Sequence, residues 1–98
     1  MSSDVNTVSL QEALDQLESD GKVIVFSKPA CVQCNATYRA LNKKALEYSI
    51  VDVSADEVAL THVLAMSYQQ VPVVQTPNDH WSGYRPDKIT ALAALVNA

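Results

Sequence analysis

Only two cysteines occur in the chain, standing as Cys31-Val32-Gln33-Cys34 between an apolar run, Val23-Ile24-Val25-Phe26, and a helical stretch. The run reads as a buried β-strand, so the pair falls at a strand-to-helix turn, where C-x-x-C is the signature of a reversible dithiol/disulfide site. A thiol in the first turn of a helix faces unpaired backbone N–H groups and the positive end of the helix dipole, which favours its thiolate. Cys31 is therefore the expected nucleophile. Cys34 lies one helical turn on, near the roughly 5.5–6 Å Cα separation that a disulfide prefers, so it can resolve a mixed disulfide without backbone rearrangement.

Ninety-eight residues at 48% hydrophobic content suffice for one core, so residues 1–98 are expected to form a single domain. There is no apolar run long enough to span a bilayer, and Met1-Ser2-Ser3-Asp4-Val5 lacks the basic start and apolar stretch of a secretory signal. A cytoplasmic protein without a membrane partner is expected. In a reducing compartment a lone cysteine pair points to catalysis or metal binding before a structural staple. Zinc needs four ligands, and only His62 and His80 remain as soft donors, without finger-like spacing. The net charge is −4, and Asp4, Glu12, Asp15, Glu18 and Asp20 fill residues 1–20 with no Lys or Arg, leaving the remainder near neutral. Nucleic acid, which asks for a basic patch, is not an expected partner.

Ser9 and Glu12 form a capping box, Leu10, Leu14 and Leu17 make an apolar stripe, and Gly21 supplies a stop, predicting a helix over about residues 9–20. A strand follows over 23–27, then a turn, then a helix after Cys31 to about Lys44 with Tyr38, Leu41 and Ala45 facing inward. Tyr48–Val53 alternates as a second strand, and Ser54 with Glu57 reads as a capping box opening a helix to about Met66. Pro72–Thr76 reads as a third strand, Pro77-Asn78-Asp79 as a hairpin turn and His80-Trp81-Ser82 as a short fourth strand. Pro86 suits the first position of a last helix reaching Val96. The β-α-β unit predicts two parallel neighbouring strands joined by a right-handed crossover.

This order, with C-x-x-C at the first strand-to-helix turn and Val71-Pro72 before the third strand, resembles the thioredoxin/glutaredoxin fold: an α/β protein with a central four-stranded mixed sheet flanked by helices, here with an extra N-terminal helix. Three segments carry a finer likeness: Lys28-Pro29-Ala30-Cys31-Val32-Gln33-Cys34-Asn35-Ala36-Thr37, Gln69-Gln70-Val71-Pro72-Val73-Val74, and Trp81-Ser82-Gly83-Tyr84-Arg85-Pro86-Asp87-Lys88. Together they are similar to the NrdH-redoxin family over roughly residues 22–96. The resemblance implies an electron carrier that reduces class Ib ribonucleotide reductase and is recharged by thioredoxin reductase, with NADPH as the indirect electron source and no bound cofactor beyond the redox-active pair. It also implies weak use of glutathione. Glutathione-dependent relatives grip the tripeptide with backbone N–H groups of a Gly-Gly-x-Asp-like segment, and here Tyr84, Arg85 and Pro86 bring bulk and a missing N–H. Two departures stand out: residues 1–21 form an extension ahead of the 22–98 redoxin core, and Ser67 takes a helix-terminating place that more often holds glycine.

Beyond the cysteines, the expected supports of the thiolate and its loop are Lys28, by charge, Gln33, by tuning potential and partner contact, and Arg85, by bonding loop backbone. Lys28 and Arg85 each have a bland alternative on the solvated surface. From the resemblance, Val71 and Pro72 form a cis peptide whose backbone pairs with an incoming strand; the alternative is a trans proline opening an edge strand. Trp81, followed by the small Ser82 and Gly83, is either a partly exposed anchor for a protein partner or a core side chain beneath the last helix. Tyr38 is expected in the core, and both histidines at the surface without partners. A monomer is the default for a carrier that exposes one site to two proteins in turn. Two rival functions stay open: a glutathione-dependent glutaredoxin, and a redox-sensing module whose disulfide switches affinity for a regulatory partner.

Overall fold

A computed structural model describes residues 7–96. Residues 1–6, which include Asp4 of the acidic N-terminal segment, and residues 97–98 lie outside the described range. The elements are α1 (Leu10–Asp20), β1 (Val23–Ser27), α2 (Val32–Lys43), β2 (Tyr48–Asp52), α3 (Glu57–Ala65), β3 (Val73–Gln75), β4 (His80–Ser82) and α4 (Pro86–Val96). The sheet runs β2-β1-β3-β4, with β1 and β2 parallel, and β3 antiparallel to both β1 and β4. This is the mixed four-stranded sheet and leading helix that the sequence predicts.

Side-chain alternation divides the sheet into two packed faces. Ile24, Phe26, Val51 and Val73 meet Leu10 and Ala13 of α1 and Ala59 and Val63 of α3. Val23, Val25, Tyr48 and Val74 meet Leu41 of α2 and Ile89 and Ala93 of α4 on the other. All five residues of β1 are buried, as a central strand covered on both sides requires. One pairing escaped the sequence reading: Thr7 bridges Ile50 in parallel, and the Val8 N–H donates to the Ile50 carbonyl at 2.8 Å, so chain ahead of α1 lies along the outer edge of β2.

Local chemistry sets the helix ends. The Ser9 hydroxyl accepts the Glu12 N–H at 3.2 Å, and Gly21, at φ 68°, closes α1 by donating to the Leu17 carbonyl. The capping box expected at Ser54 is not the one that forms. Asp56 stands at the N-cap of α3 and accepts the N–H groups of Val58 and Ala59, both at 3.1 Å, while the Ser54 hydroxyl and N–H turn back to Asp52. A carboxylate adjoining the first turn outcompetes a hydroxyl two residues farther away, because charge adds to the hydrogen bond. Ser67 adopts φ 73°, the left-handed geometry for which glycine is the usual choice. Ala45 is not an inward residue of α2: the helix ends at Lys43, and Ala45 sits exposed at φ 57° in the turn to β2. Cys34, Thr37 and Leu41 form the buried side of α2 instead.

Candidate active site

The tip of β1 turns through Lys28, Pro29 and Ala30 into α2. Ala30 takes a left-handed φ of 57°, a geometry that costs an L-residue about 1–2 kcal/mol. That turn delivers Cys31 to the N-cap of α2, where its sulfur accepts the Cys34 N–H at 3.2 Å. Cys31 and Cys34 are disulfide-bonded, with Cα atoms 5.1 Å apart. The sulfurs differ in access, since Cys31 is 8% exposed and Cys34 1%. Cys31 is thus the more accessible of the two sulfurs, and Cys34 lies beneath it. Thr37 is buried one turn on, its hydroxyl satisfied by the Gln33 carbonyl at 2.9 Å. Tyr38 is half-buried, donates to Ser27 Oγ at 2.6 Å and stacks on Tyr48, in keeping with a packing role.

Two further loops close on this turn. The Val71–Pro72 peptide is cis, Pro72 is buried, and its carbonyl accepts the Gly83 N–H at 2.8 Å. The Ser82 hydroxyl donates to the Gln70 carbonyl at 3.3 Å. Gln33 completes the contact, as its side-chain oxygen accepts the Tyr84 N–H at 3.1 Å. Gly83 has φ 86°, and a Cβ there would lie 3.5 Å from that oxygen. The three segments singled out in the sequence thus converge at one end of the sheet.

Beside Cys31 opens a groove of about 480 Å³ whose walls include Lys28, Val32, Leu60, Leu64, Tyr68 and Val71. Val32 is 80% exposed, and Leu60 and Leu64 are exposed along the rim. Exposed apolar side chains therefore surround the Cys31–Cys34 pair. Lys28 is the groove's one charged lining residue. The α3 residues were missed by sequence reasoning, although a signal exists: Val58, Leu60 and Leu64 are surplus to the buried Ala59 and Val63 on a nine-residue helix.

Other candidates move elsewhere. Arg85 does not reach the cysteine loop. Its guanidinium makes a two-pronged pair with Asp87, at 2.9 and 3.1 Å, which holds the Asp87 carboxyl below its ordinary range chiefly through that hydrogen bond. Arg85 is only two residues from this acid on an exposed turn, whereas the loop contact is taken by Gln33. Trp81 is no exposed anchor. At 4% exposure it packs with Val74, Ile89 and Ala93, because its place on β4 points it toward α4. Its indole N–H is buried without a partner among the described residues, and Lys88 Nζ stands 5.9 Å from the ring centre. Trp81→Phe is therefore expected to cost less than ~1.5 kcal/mol, since no hydrogen bond is lost, and Trp81→Ala ~3–5 kcal/mol. Urea unfolding of the two variants reads the difference; equal losses would show that the N–H is bonded. The histidines are partnered, contrary to expectation. His62 lies against Phe26 and bonds Gln75 at 3.1 Å, and His80 bonds the Tyr68 hydroxyl at 2.7 Å. Among the described residues no three His, Cys, Asp or Glu side chains gather as a metal set, and no helix is long and apolar enough to cross a membrane.

A thioredoxin-type sheet that presents one sulfur of a C-x-x-C pair, seals the other and flanks them with an apolar groove defines a protein disulfide oxidoreductase. The glutaredoxin family model matches residues 23–81. The glutaredoxin-like protein NrdH of Salmonella typhimurium is 36% identical over 76 residues, which span 78% of this chain and 94% of that protein. The solved structure of the glutaredoxin-like NrdH-redoxin from Escherichia coli, described as having a thioredoxin-like activity profile, superposes with a TM-score of 0.70 at 32% identity, over 72% of this chain and 93% of that one. The chain belongs to the glutaredoxin family, among its NrdH-redoxins. Chloroplastic thioredoxin z shares the fold alone, at 14% identity and a TM-score of 0.68, but over 99% of this chain and 97% of its own. The α1 end of the fold thus also has a thioredoxin-like counterpart.

Proposed function

We propose that the protein is a monomeric cytoplasmic electron carrier that reduces the active-site disulfide of a class Ib ribonucleotide reductase and is re-reduced by thioredoxin reductase at the expense of NADPH. The observation that carries this reading is the unequal access of the two sulfurs at the α2 N-terminus. Cys31, as thiolate, attacks one sulfur of the target disulfide; that S–S bond breaks, a mixed disulfide forms, and the displaced target thiolate takes up a proton. Cys34 gives up its proton and attacks the Cys31 sulfur, expelling the second target thiolate, which is protonated in turn. Two electrons and two protons pass to the target, and the carrier is left with the Cys31–Cys34 disulfide. The helix N-terminus and the Cys34 N–H favour negative charge on Cys31, and Lys28 adds a cation at the groove wall. Val71, at the groove beside Cys31, and the Ser82-Gly83 turn form the surface against which the target segment rests.

The Gln33 contact supports thioredoxin reductase over glutathione as the reductant. A carboxylate-bearing thiol approaching Cys31 needs backbone donors; the Tyr84 N–H is already taken by Gln33, and Pro86 has none. Gln33→Ala frees that donor. A hydrogen bond to a charged group is worth ~1.5–3 kcal/mol, so reduction by glutathione is expected to rise about tenfold or more in the variant. An unchanged glutathione rate would remove the donor argument. The reading as a whole is tested by mixing the oxidised protein with NADPH and thioredoxin reductase, and separately with NADPH, glutathione and glutathione reductase. Consumption of NADPH in the first mixture, followed by support of ribonucleotide reduction, is the expected result. Consumption confined to the second would make it a glutathione-dependent carrier, and none in either would leave a redox sensor.

A further inference from the structure

Charge is divided between the two faces of the sheet. On one, α1 exposes Glu12, Asp15, Glu18 and Asp20, and neither α1 nor α3 contains a lysine or arginine. On the other, α2 contains no acid and exposes Arg39 and Lys43, with Lys44 exposed at its C-cap. These three cations line a groove of about 410 Å³ between α2 and α4, with Tyr84 and Thr90 on the facing wall and, among the described residues, no acidic lining residue. Among the described residues none of the three is in an ion pair, whereas Arg85 is paired with Asp87 and Lys88 with Asp79. Glu47, beyond the end of α2, does not line the groove. Lys43 and Lys44 complement the carbonyl end of α2, but Arg39 sits a turn earlier, so the helix dipole does not account for the cluster. The groove connects to the active site through Tyr84, whose N–H is held by Gln33 between the two cysteines.

We propose that this groove docks an acidic stretch of the protein whose disulfide Cys31 attacks. The inference deepens the reading of the chain as a protein disulfide reductant and rests on it. Arg39 and Lys43 lie eight and twelve residues along α2 from Cys31, roughly 12 and 18 Å at the helical rise, and an extended peptide covers that distance in roughly four to six residues. Aspartates or glutamates at that spacing from the reacting cysteine fall over the cations. The −4 net charge and the acidic α1 face repel a long polyanion, and they orient a short acidic stretch toward this one groove.

The test uses single-turnover reduction of synthetic disulfide peptides by the pre-reduced full chain. Three peptides carry aspartates four to six residues from the cysteine, neutral residues there, or lysines there. At low ionic strength the acidic peptide is expected to react about tenfold faster than the neutral one, and the advantage to fall toward unity in ~0.5 M salt, where charges are screened within a few ångströms. The triple variant Arg39→Gln, Lys43→Gln, Lys44→Gln keeps good helix formers on α2 and is expected to lose the advantage while reducing the neutral peptide within about twofold of the parent. Circular dichroism establishes that it is folded; if it is not, the lysine peptide supplies the same comparison on the parent chain and is expected to be slowest. Equal rates for acidic and neutral peptides, or an advantage surviving in the folded variant, overturn the proposal. Failure to reduce even the neutral peptide overturns the reductant reading itself. Displacement of the acidic peptide by an equally charged single-stranded oligonucleotide that binds more tightly assigns the groove to nucleic acid and overturns it also.

Discussion

Serine in place of Cys34 is expected to freeze the protein as a covalent one-to-one adduct with its target, and serine in place of Cys31 to abolish turnover. The asymmetry follows from access. Cys31 is the more accessible sulfur, at the N-cap of α2 with the Cys34 N–H directed at it, while Cys34 lies beneath. With Cys34→Ser the first exchange still runs, but no thiol stands behind the mixed disulfide to resolve it, and the adduct accumulates until an external thiol releases it. With Cys31→Ser a hydroxyl that is not ionised at neutral pH replaces the thiolate, and the rate should fall by on the order of 10⁴ or more, the scale seen when a nucleophile is removed. Mass spectrometry of alkylated mixtures reads the adduct, and a coupled NADPH assay reads the turnover. An adduct trapped by Cys31→Ser and not by Cys34→Ser would exchange the two roles.

Removing residues 1–21 is expected to cost most of the stability. Leu10 and Ala13 are buried and Leu14 and Leu17 pack against the same cluster, over Ile24, Phe26 and Val51. Gln16 also accepts a hydrogen bond from the buried Ser49 hydroxyl at 2.8 Å. Burying a leucine is worth ~1.5–3 kcal/mol, so one buried and two half-buried leucines supply about 5 kcal/mol, against the ~5–15 kcal/mol of a typical domain. At ~4–8 °C per kcal/mol the melting midpoint should fall by about 20 °C or more. Leu10→Ala alone should cost ~2–5 kcal/mol. Thermal and urea unfolding of both variants against the full chain provide the check, and a truncated protein melting within a few degrees of the parent would show that α1 is an appendage. The result bears on the family, because 94% of the Salmonella relative is matched by only 78% of this chain.

The legible parts of this protein are those whose physics is local. The Val23–Phe26 run, the cysteine spacing, the Ser9 cap, Gly21, the Pro77-Asn78-Asp79 turn and Pro86 each act within a few residues, so strand, helix and turn boundaries fell close to where they were expected. Where two local signals competed, the choice was harder: Ser54 and Asp56 both fit a helix start, and the charged one took it. Trp81, Arg85 and Gln33 show a different limit. Burial of Trp81 depends on which side of β4 faces α4, Arg85 was drawn to Asp87 instead of the loop, and the bond from Tyr84 to Gln33 spans fifty-one residues of sequence.

By itself the sequence determined the order of elements and the position of the reactive pair at a strand-to-helix turn, because backbone preference and side-chain periodicity act along the chain, and its three motif segments carried the family resemblance. Only the tertiary structure decided how unequally the two sulfurs are exposed, what lines the groove beside them, and that Arg39, Lys43 and Lys44 share a groove with Tyr84 while the acids of α1 lie across the sheet. Those properties belong to surfaces assembled from distant segments. Burial, unpaired charge and hydrogen-bond choice are settled by what packs opposite, and nothing local to a residue specifies its neighbour across a fold.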